Sequence, residues 1–295
     1  MLKQKSILTS LTLATTLLLT ACVNSISDTD PVEETLCRLD ISIGQLTSQI
    51  PITSSKASTR SALTLQDNSK ALTLFAVADD GSVKGSVTQA STDASFGSVT
   101  LELPQGSYTL VGVAHNGTQA AYASGIISFA DGKVTDTFIG STSVTLTSEA
   151  PASTTLSLQR RVAKLSITMN DALPSNVKEA KVIMSGYSQK FDTSTSLGTA
   201  AEQLERTIDL TGRDGQTDIT VSVYTFVPSA SHTTSLTYTV TNTSGSTIYT
   251  HTFPSLSLVE CTQTKVYGNF FTTHNVWTIE LLGEWKSPIE HNINN

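Results

Sequence analysis

Charge is scarce in this chain. Only 15% of its 295 residues are Asp, Glu, Lys or Arg, and 18 basic residues face 25 acids, a net charge of −7 at pH 7. So little positive charge gives no electrostatic footprint for a nucleic acid, nor for an anionic lipid surface. Cysteine is rarer still, at three residues, which excludes a disulfide-dense scaffold. Two tryptophans and aromatics at 6% leave few flat rings on which a sugar could stack. The histidines His115, His232, His251, His274 and His291 lie far apart and never in His-x-x-x-His spacing. Gly-x-Ser-x-Gly, P-loop and paired-carboxylate signatures are missing too. Asp79-Asp80-Gly81 and the pair Asp214 and Asp218 resemble fragments of calcium loops, but neither reaches a terminal glutamate, so both read as turns. The pattern assigns no catalytic residue, metal or cofactor, and points away from an enzyme.

No apolar run reaches the ~20 residues that a membrane-spanning helix needs. The run from Ile7 to Leu19 is preceded by Lys3 and Lys5 and closes in Leu19-Thr20-Ala21-Cys22. That order is a secretory signal. Its last four residues resemble the lipobox of lipoprotein signals: an apolar residue, two small ones that let the backbone enter the peptidase, and a cysteine whose thiol takes the lipid. Residues 1–21 are therefore expected to be removed and Cys22 to begin the mature chain. One acyl chain, at ~0.8 kcal/mol per buried methylene, anchors marginally, whereas two or three hold stably. A lipidated Cys22 means membrane-bound.

What the chain has in quantity is serine and threonine, set in period-two runs. Threonine suits half-exposed pleated surfaces, its branched side chain favouring strand geometry while its hydroxyl faces water. Val99, Leu101 and Leu103 alternate with Thr100 and Glu102, as do Ile219, Val221 and Val223 with Thr220 and Ser222. Leu236, Tyr238 and Val240 alternate with threonines. These are half-buried strands. Leu72 to Ala78 and Tyr108 to Ala114 are apolar on both phases and read as central strands. Turn signals such as Pro104-Gln105-Gly106 and Asp131-Gly132 separate the runs. No window carries a helical stripe; Ala200 to Arg206 could form one turn. The chain reads as all-β.

Val23 to Thr35 is polar and aperiodic, a tether over 22–35. A second loose stretch, Thr47 to Ser61, contains Arg60. Buried positions are even at Leu156 and Leu158 but odd at Leu165, Ile167 and Met169, and a strand cannot exchange its faces without a break. With Pro151 just upstream, the phase change divides the chain into 36–155 and 156–295, each long enough for a β-sandwich. Cys37 and Cys261 form an even pair in an exported chain, which suggests a disulfide; the other reading is two buried free thiols. Trp277 shares a phase with Ile279 and Leu281 and reads as core, while Trp285 reads as exposed.

Three segments carry a resemblance. Leu158-Gln159-Arg160-Arg161-Val162-Ala163-Lys164, Leu103-Pro104-Gln105-Gly106-Ser107-Tyr108 and Thr262-Gln263-Thr264-Lys265-Val266-Tyr267-Gly268-Asn269-Phe270 are similar to motifs of Bacteroidales-type fimbrial lipoproteins. Cys37, opening the first strand soon after Cys22, resembles the FimB-like anchors among them. The resemblance implies two transthyretin-like β-sandwich domains in tandem, an outer-membrane location on the cell surface, and β-strand addition between fimbrial subunits. It implies that stalk subunits lose an N-terminal segment by cleavage after an arginine, for which Arg60 is the candidate, whereas anchors keep theirs. Ser287 to Asn295 is polar, so a donated terminal strand would involve Asn275 to Leu282. The expected role is a fimbrial anchor or subunit. The alternatives are a polymerising fimbrillin released after Arg60 and a glycan-binding surface lipoprotein for nutrient uptake.

Overall fold

The computed structural model describes residues 35–48, 63–148, 151–230, 232–272 and 277–282. Strands dominate, as the alternation requires. The first half holds β1 (Leu36–Thr47), a one-turn helix α1 (Leu65–Asn68), β2 (Ala71–Ala78), β3 (Val83–Ala90), β4 (Ser98–Pro104), β5 (Gly106–His115), β6 (Ala120–Ala123), β7 (Ile126–Phe129), β8 (Thr137–Leu146) and β9 (Ala152–Arg160). The second holds β10 (Val162–Met169), β11 (Val177–Tyr187), β12 (Phe191–Asp192), β13 (Leu197–Gly198), β14 (Glu202–Asp209), β15 (Ile219–Phe226), β16 (His232–Asn242), β17 (Thr247–Leu258), β18 (Gln263–Gly268) and β19 (Trp277–Leu282). Helix α1 starts where Thr64 caps the Asp67 amide, satisfying one of its orphan donors. The turn expected within Ala200 to Arg206 is instead the start of β14, which pairs antiparallel with β11 from Tyr187↔Glu202 to Glu179↔Asp209.

One seven-stranded sheet, ordered β3-β2-β5-β8-β9-β1-β4, makes the first half. It folds over at β8 and β9, which share only the rungs Phe138↔Arg160 and Ile139↔Gln159. Its two wings then face each other, with Leu72, Leu74 and Leu110 of one packed on Leu39, Leu101 and Leu156 of the other. The wings meet so closely that a Cβ on Gly112 would lie 2.6 Å from Leu156 Cδ2. The opposite face of β2 and β5 is also covered, because Phe75, Val77, Val111 and Val113 belong to the core of the second half. Burial on both faces explains why these two strands are apolar in both phases.

The second half stacks β15-β10-β18-β19 against β14-β11-β16-β17. Across this layer Tyr238 Oη donates to Met169 Sδ at 3.2 Å, and Tyr238 meets Phe270 edge-on at 5.6 Å. A fourth sheet, β13-β12-β7-β6, joins the halves, because Phe191 and Asp192 pair with Ile127 and Ile126. Residues Thr35–Asn295 accordingly cluster as one compact unit. The boundary drawn between 155 and 156 falls inside β9, which belongs to the first sheet throughout. The passage between sheets occurs at Arg161, the single residue between β9 and β10. The phase change is real, but it marks a corner between sheets rather than a linker.

Candidate assembly interface

β1 is the first described strand of the chain and lies inside a sheet, one strand in from its edge. It runs antiparallel to β4 from Leu36↔Pro104 to Ser42↔Ser98, and parallel to β9 from Leu39↔Ala152 to Thr47↔Gln159. A bulge between Ile43 and Leu46 interrupts the second pairing. Alternation sends Cys37, Leu39 and Ile41 inward, and Leu46 follows after the bulge. At ~1.5–3 kcal/mol per fully buried aliphatic side chain, Leu39, Ile41 and Leu46 hold β1 by roughly 5–9 kcal/mol of apolar burial. Leu46 also bridges to Leu63, so the chain leaves β1 and returns at the same place, with residues 49–62 in between.

The outer face of β1 is polar. Arg38 donates from Nε and Nη2 to Asp40 Oδ1 at 3.2 and 3.1 Å, and Thr100 Oγ1 donates to the same oxygen at 2.6 Å. These donors, the threonine hydroxyl first, hold the Asp40 carboxyl below its ordinary pKa. Asp40, Ser42, Thr100, Ser153 and Thr155 line an open groove across β4, β1 and β9.

The corner between the halves is a buried ion pair. Arg160, fully buried, donates from Nε and Nη2 to Asp136 Oδ1 and Oδ2, both at 2.8 Å, and its guanidinium lies 4.7 Å from the Phe138 ring centroid. Arg161 pairs with Glu260 at 3.1 Å, and burial raises the Glu260 carboxyl above its ordinary pKa. Cys261, in the left-handed region at φ 62°, donates its thiol to Arg160 O at 2.9 Å. Burial and then the Glu260 carboxylate push that thiol up to about 12. Cys37 is at a different place and donates to Thr147 O at 3.3 Å. Both are free and buried, so of the two readings for this pair the structure holds free thiols and not the disulfide. Each sulfur is committed to a separate carbonyl.

At the far edge of the second half, Trp277 packs against Tyr249, Phe253 and Phe270 and stacks on His251 at 4.9 Å. It belongs to the core margin, as its phase predicts. Ile279 and Leu281 share that phase but are 53% and 54% exposed, contrary to the expectation of core packing. Among the described residues, the facing sheet ends at β17.

Other singled-out residues resolve into structural roles. Asp80 Oδ1 accepts from the Ser82 amide and hydroxyl, closing the Asp79-Asp80-Gly81 turn. His232 Nε2 contacts Gly186 O at 2.6 Å. Among the described residues, no group of three or more His, Cys, Asp or Glu could hold a metal ion, and no helix is long and apolar enough to cross a membrane. Cys22, Arg60, Trp285, the leader and the tether lie outside the described residues. The pattern of residues missed His115, fully buried at the end of β5, with Nδ1 accepting from the Gly117 amide and Nε2 left without a partner. A lone histidine after an apolar run gives no signal of that kind.

The described residues thus set β1 between β4 and β9 and leave Ile279 and Leu281 of β19 exposed. Residues 44–265 match the family model of fimbrillin-A associated anchor proteins Mfa1 and Mfa2, and the chain belongs to that family. No curated protein matches it. Among solved structures it is similar to a candidate cell-adhesion protein of Bacteroides ovatus, at 13% identity and a TM-score of 0.48 over 86% of this chain and 99% of that one. It is likewise similar to the fimbrial anchor protein Mfa2 of Porphyromonas gingivalis, at 10% identity and a TM-score of 0.44 over 85% and 100% of the two chains.

Proposed function

We propose that this chain is a non-enzymatic fimbrial anchor, held in the outer membrane by acyl chains on Cys22 and joined to a neighbouring subunit by β-strand addition. The observation that carries the reading is the seat of β1. An intact chain fills the position between β4 and β9 with its own residues 36–47, so it has no vacancy there for a neighbour's strand. What it can offer is an edge, and β19 is an edge strand with apolar side chains in the open. Main-chain hydrogen bonds along such an edge join subunits without a sequence-specific pocket. The same strand ties the anchor down: β1 begins fourteen residues after Cys22, so a pull on the lipid is passed to a strand paired on both sides, with β4 and with β9.

The second reading, a polymerising fimbrillin, is favoured by one observation. Leu46 and Leu63 meet at either end of the segment that contains Arg60, so a cut there would sever β1 from the fold without disturbing any described strand. Burial on the scale of roughly 5–9 kcal/mol would keep a severed β1 in place until a competing strand displaced it. The test must therefore be made on denatured protein. Mass spectrometry of the chain from an outer-membrane fraction is expected to show a diacylated or triacylated Cys22 and uncleaved peptides across Arg60. A mature start at Ser61 would sink the anchor reading in favour of the fimbrillin.

A further inference from the structure

The chain enters the wing β9-β1-β4 at one end and leaves it at the other. Leu36, at the start of β1, lies opposite Pro104 at the end of β4. Thr47, at the end of β1, lies beside Gln159, next to the corner at Arg160 and Arg161. The first and last strands of this half, β1 and β9, are thus neighbours, and they are parallel. A short hairpin cannot produce that pairing, because parallel strands need a crossover. Were the two antiparallel, incoming and outgoing chain would leave by the same end, and a pull would part the ladder one rung at a time. Parallel strands pulled at the start of one and the end of the other slide along their length instead. Cross-strand hydrogen bonds then carry the load together.

We propose that β1 is a shear clamp, a strand that bears tension between Leu36 and the corner without opening the sheet. Its use in this way rests on the anchor reading; the resistance itself does not. Side chains fasten β1 to both neighbours in addition to the main chain. Thr100 Oγ1 of β4 donates to Asp40 at 2.6 Å, and the Ser42 and Thr155 hydroxyls of β1 and β9 share a hydrogen bond at 3.1 Å. Thr47 Oγ1 donates to Leu158 O at 3.4 Å. The apolar face opposes sliding as well. A slide of one residue would turn Leu39 and Ile41 outward. A slide of two would keep the phase of a regular strand, but the bulge between Ile43 and Leu46 breaks the repeat, so the ladder to β9 does not re-form. At the corner the strand end is held too: Arg160 is paired with Asp136, and the Arg161 amide donates to Thr137 O at 3.0 Å. Tension arriving from the second half is therefore shared between β9 and the start of β8.

Single-molecule force spectroscopy, with the pulling point moved from one end of β4 to the other, tests the clamp. The chain from residue 22 carries Cys22→Ser and a biotin tag at its N-terminus. A maleimide-linked handle is placed on Ala94→Cys or on Gln105→Cys, both exposed. Cys37 and Cys261 are buried and stay unlabelled in the native protein. Ala94 precedes the start of β4, so the first pair of handles shears β1 along β4. Gln105 follows the end of β4, beside Leu36, so the second pair peels the same rungs from one end. Forced unfolding follows the unfolding rate under load, and at equal loading rate the shear rupture force should exceed the peeling force at least about twofold. Asp40→Asn with Thr100→Val removes a tie outside the core; it should lower the shear force and leave the peeling force unchanged. Should Ala94→Cys lower the urea midpoint, Thr92→Cys, also exposed and in the same turn, replaces it. Equal forces in the two geometries would overturn the proposal, as would a higher force on peeling. These measurements use the isolated chain, whereas the anchor reading fails on the N-terminus found in cells, so the two failures are distinguishable.

Discussion

Acidification should weaken this protein through His115, in a window that its lowered carboxylates do not share. The ring is fully buried, 5.1 Å from Phe129, with Nδ1 accepting from the Gly117 amide. That bond places the proton on Nε2, which has no acceptor. Burial depresses the folded-state pKa from 6.5 to about 4, opposed weakly by the Gly117 contact and by Asp131. The unfolded chain therefore begins to bind a proton near pH 6.5, while the folded chain resists until about pH 4. Stability contributed by the neutral ring is complete above pH 6.5, falls through the interval, and is gone below pH 4. At 1.36 kcal/mol per unit, the full loss is about 3 kcal/mol. Glu260, whose carboxyl is raised by burial, works in the opposite direction as pH falls, and the carboxyls of Asp40, Asp80, Asp131, Asp192 and Asp209, all lowered, lose their contribution mainly below 3.8. A comparison with His115→Phe cancels those other groups. Urea unfolding at pH 7, 5.5 and 4.2 should show wild type losing about 3 kcal/mol more than the variant. Parallel slopes in the two proteins would refute the reasoning.

Three further outcomes follow from the same structure. Asp136→Asn leaves the Arg160 guanidinium buried without its carboxylate and should cost about 3–5 kcal/mol, read as a lowered urea midpoint; the double change Arg160→Met with Asp136→Leu should recover much of it. Gly140→Ala would put a methyl 2.0 Å from Ser157 O, where β9 crosses β8, and should cost roughly 1–3 kcal/mol or more in thermal unfolding. Cys37 and Cys261 should both resist a thiol reagent in the native protein at pH 8 and both react on unfolding; a native protein that yields no thiol after unfolding without reductant would show them bridged.

The period-two alternation made most strands legible, since Val99 to Leu103 and Leu236 to Val240 bury the faces that their patterns assign. The doubly apolar runs in β2 and β5 were legible as central strands, but not the reason for it. Leu74 and Leu110 face the other wing of their own sheet, while Phe75 and Val111 face the second half. Sequence pattern reports that a face is buried and says nothing of what buries it. The same limit hid the joining sheet, whose two-residue strands β12 and β13 are too short to show any period. The phase change after Leu158 was legible, and only its meaning was misplaced, because a corner and a linker produce the same shift of register.

The candidate interface was readable at one end only. β1 shows as an alternating strand from Cys37 to Ile41, but its place between β4 and β9 depends on pairings across more than a hundred residues, such as Thr47↔Gln159. The other end misled in a more useful way. Trp277, Ile279 and Leu281 carry one apolar phase, and that phase does face inward, yet burial stops after Trp277 because the opposite sheet runs out at β17. An inward-facing apolar residue left in water costs about 1.5–3 kcal/mol of unrealised burial. Two such residues stand side by side at β19, the edge strand of its sheet. Pattern and packing therefore disagree at the edge strand on which the proposed strand addition rests.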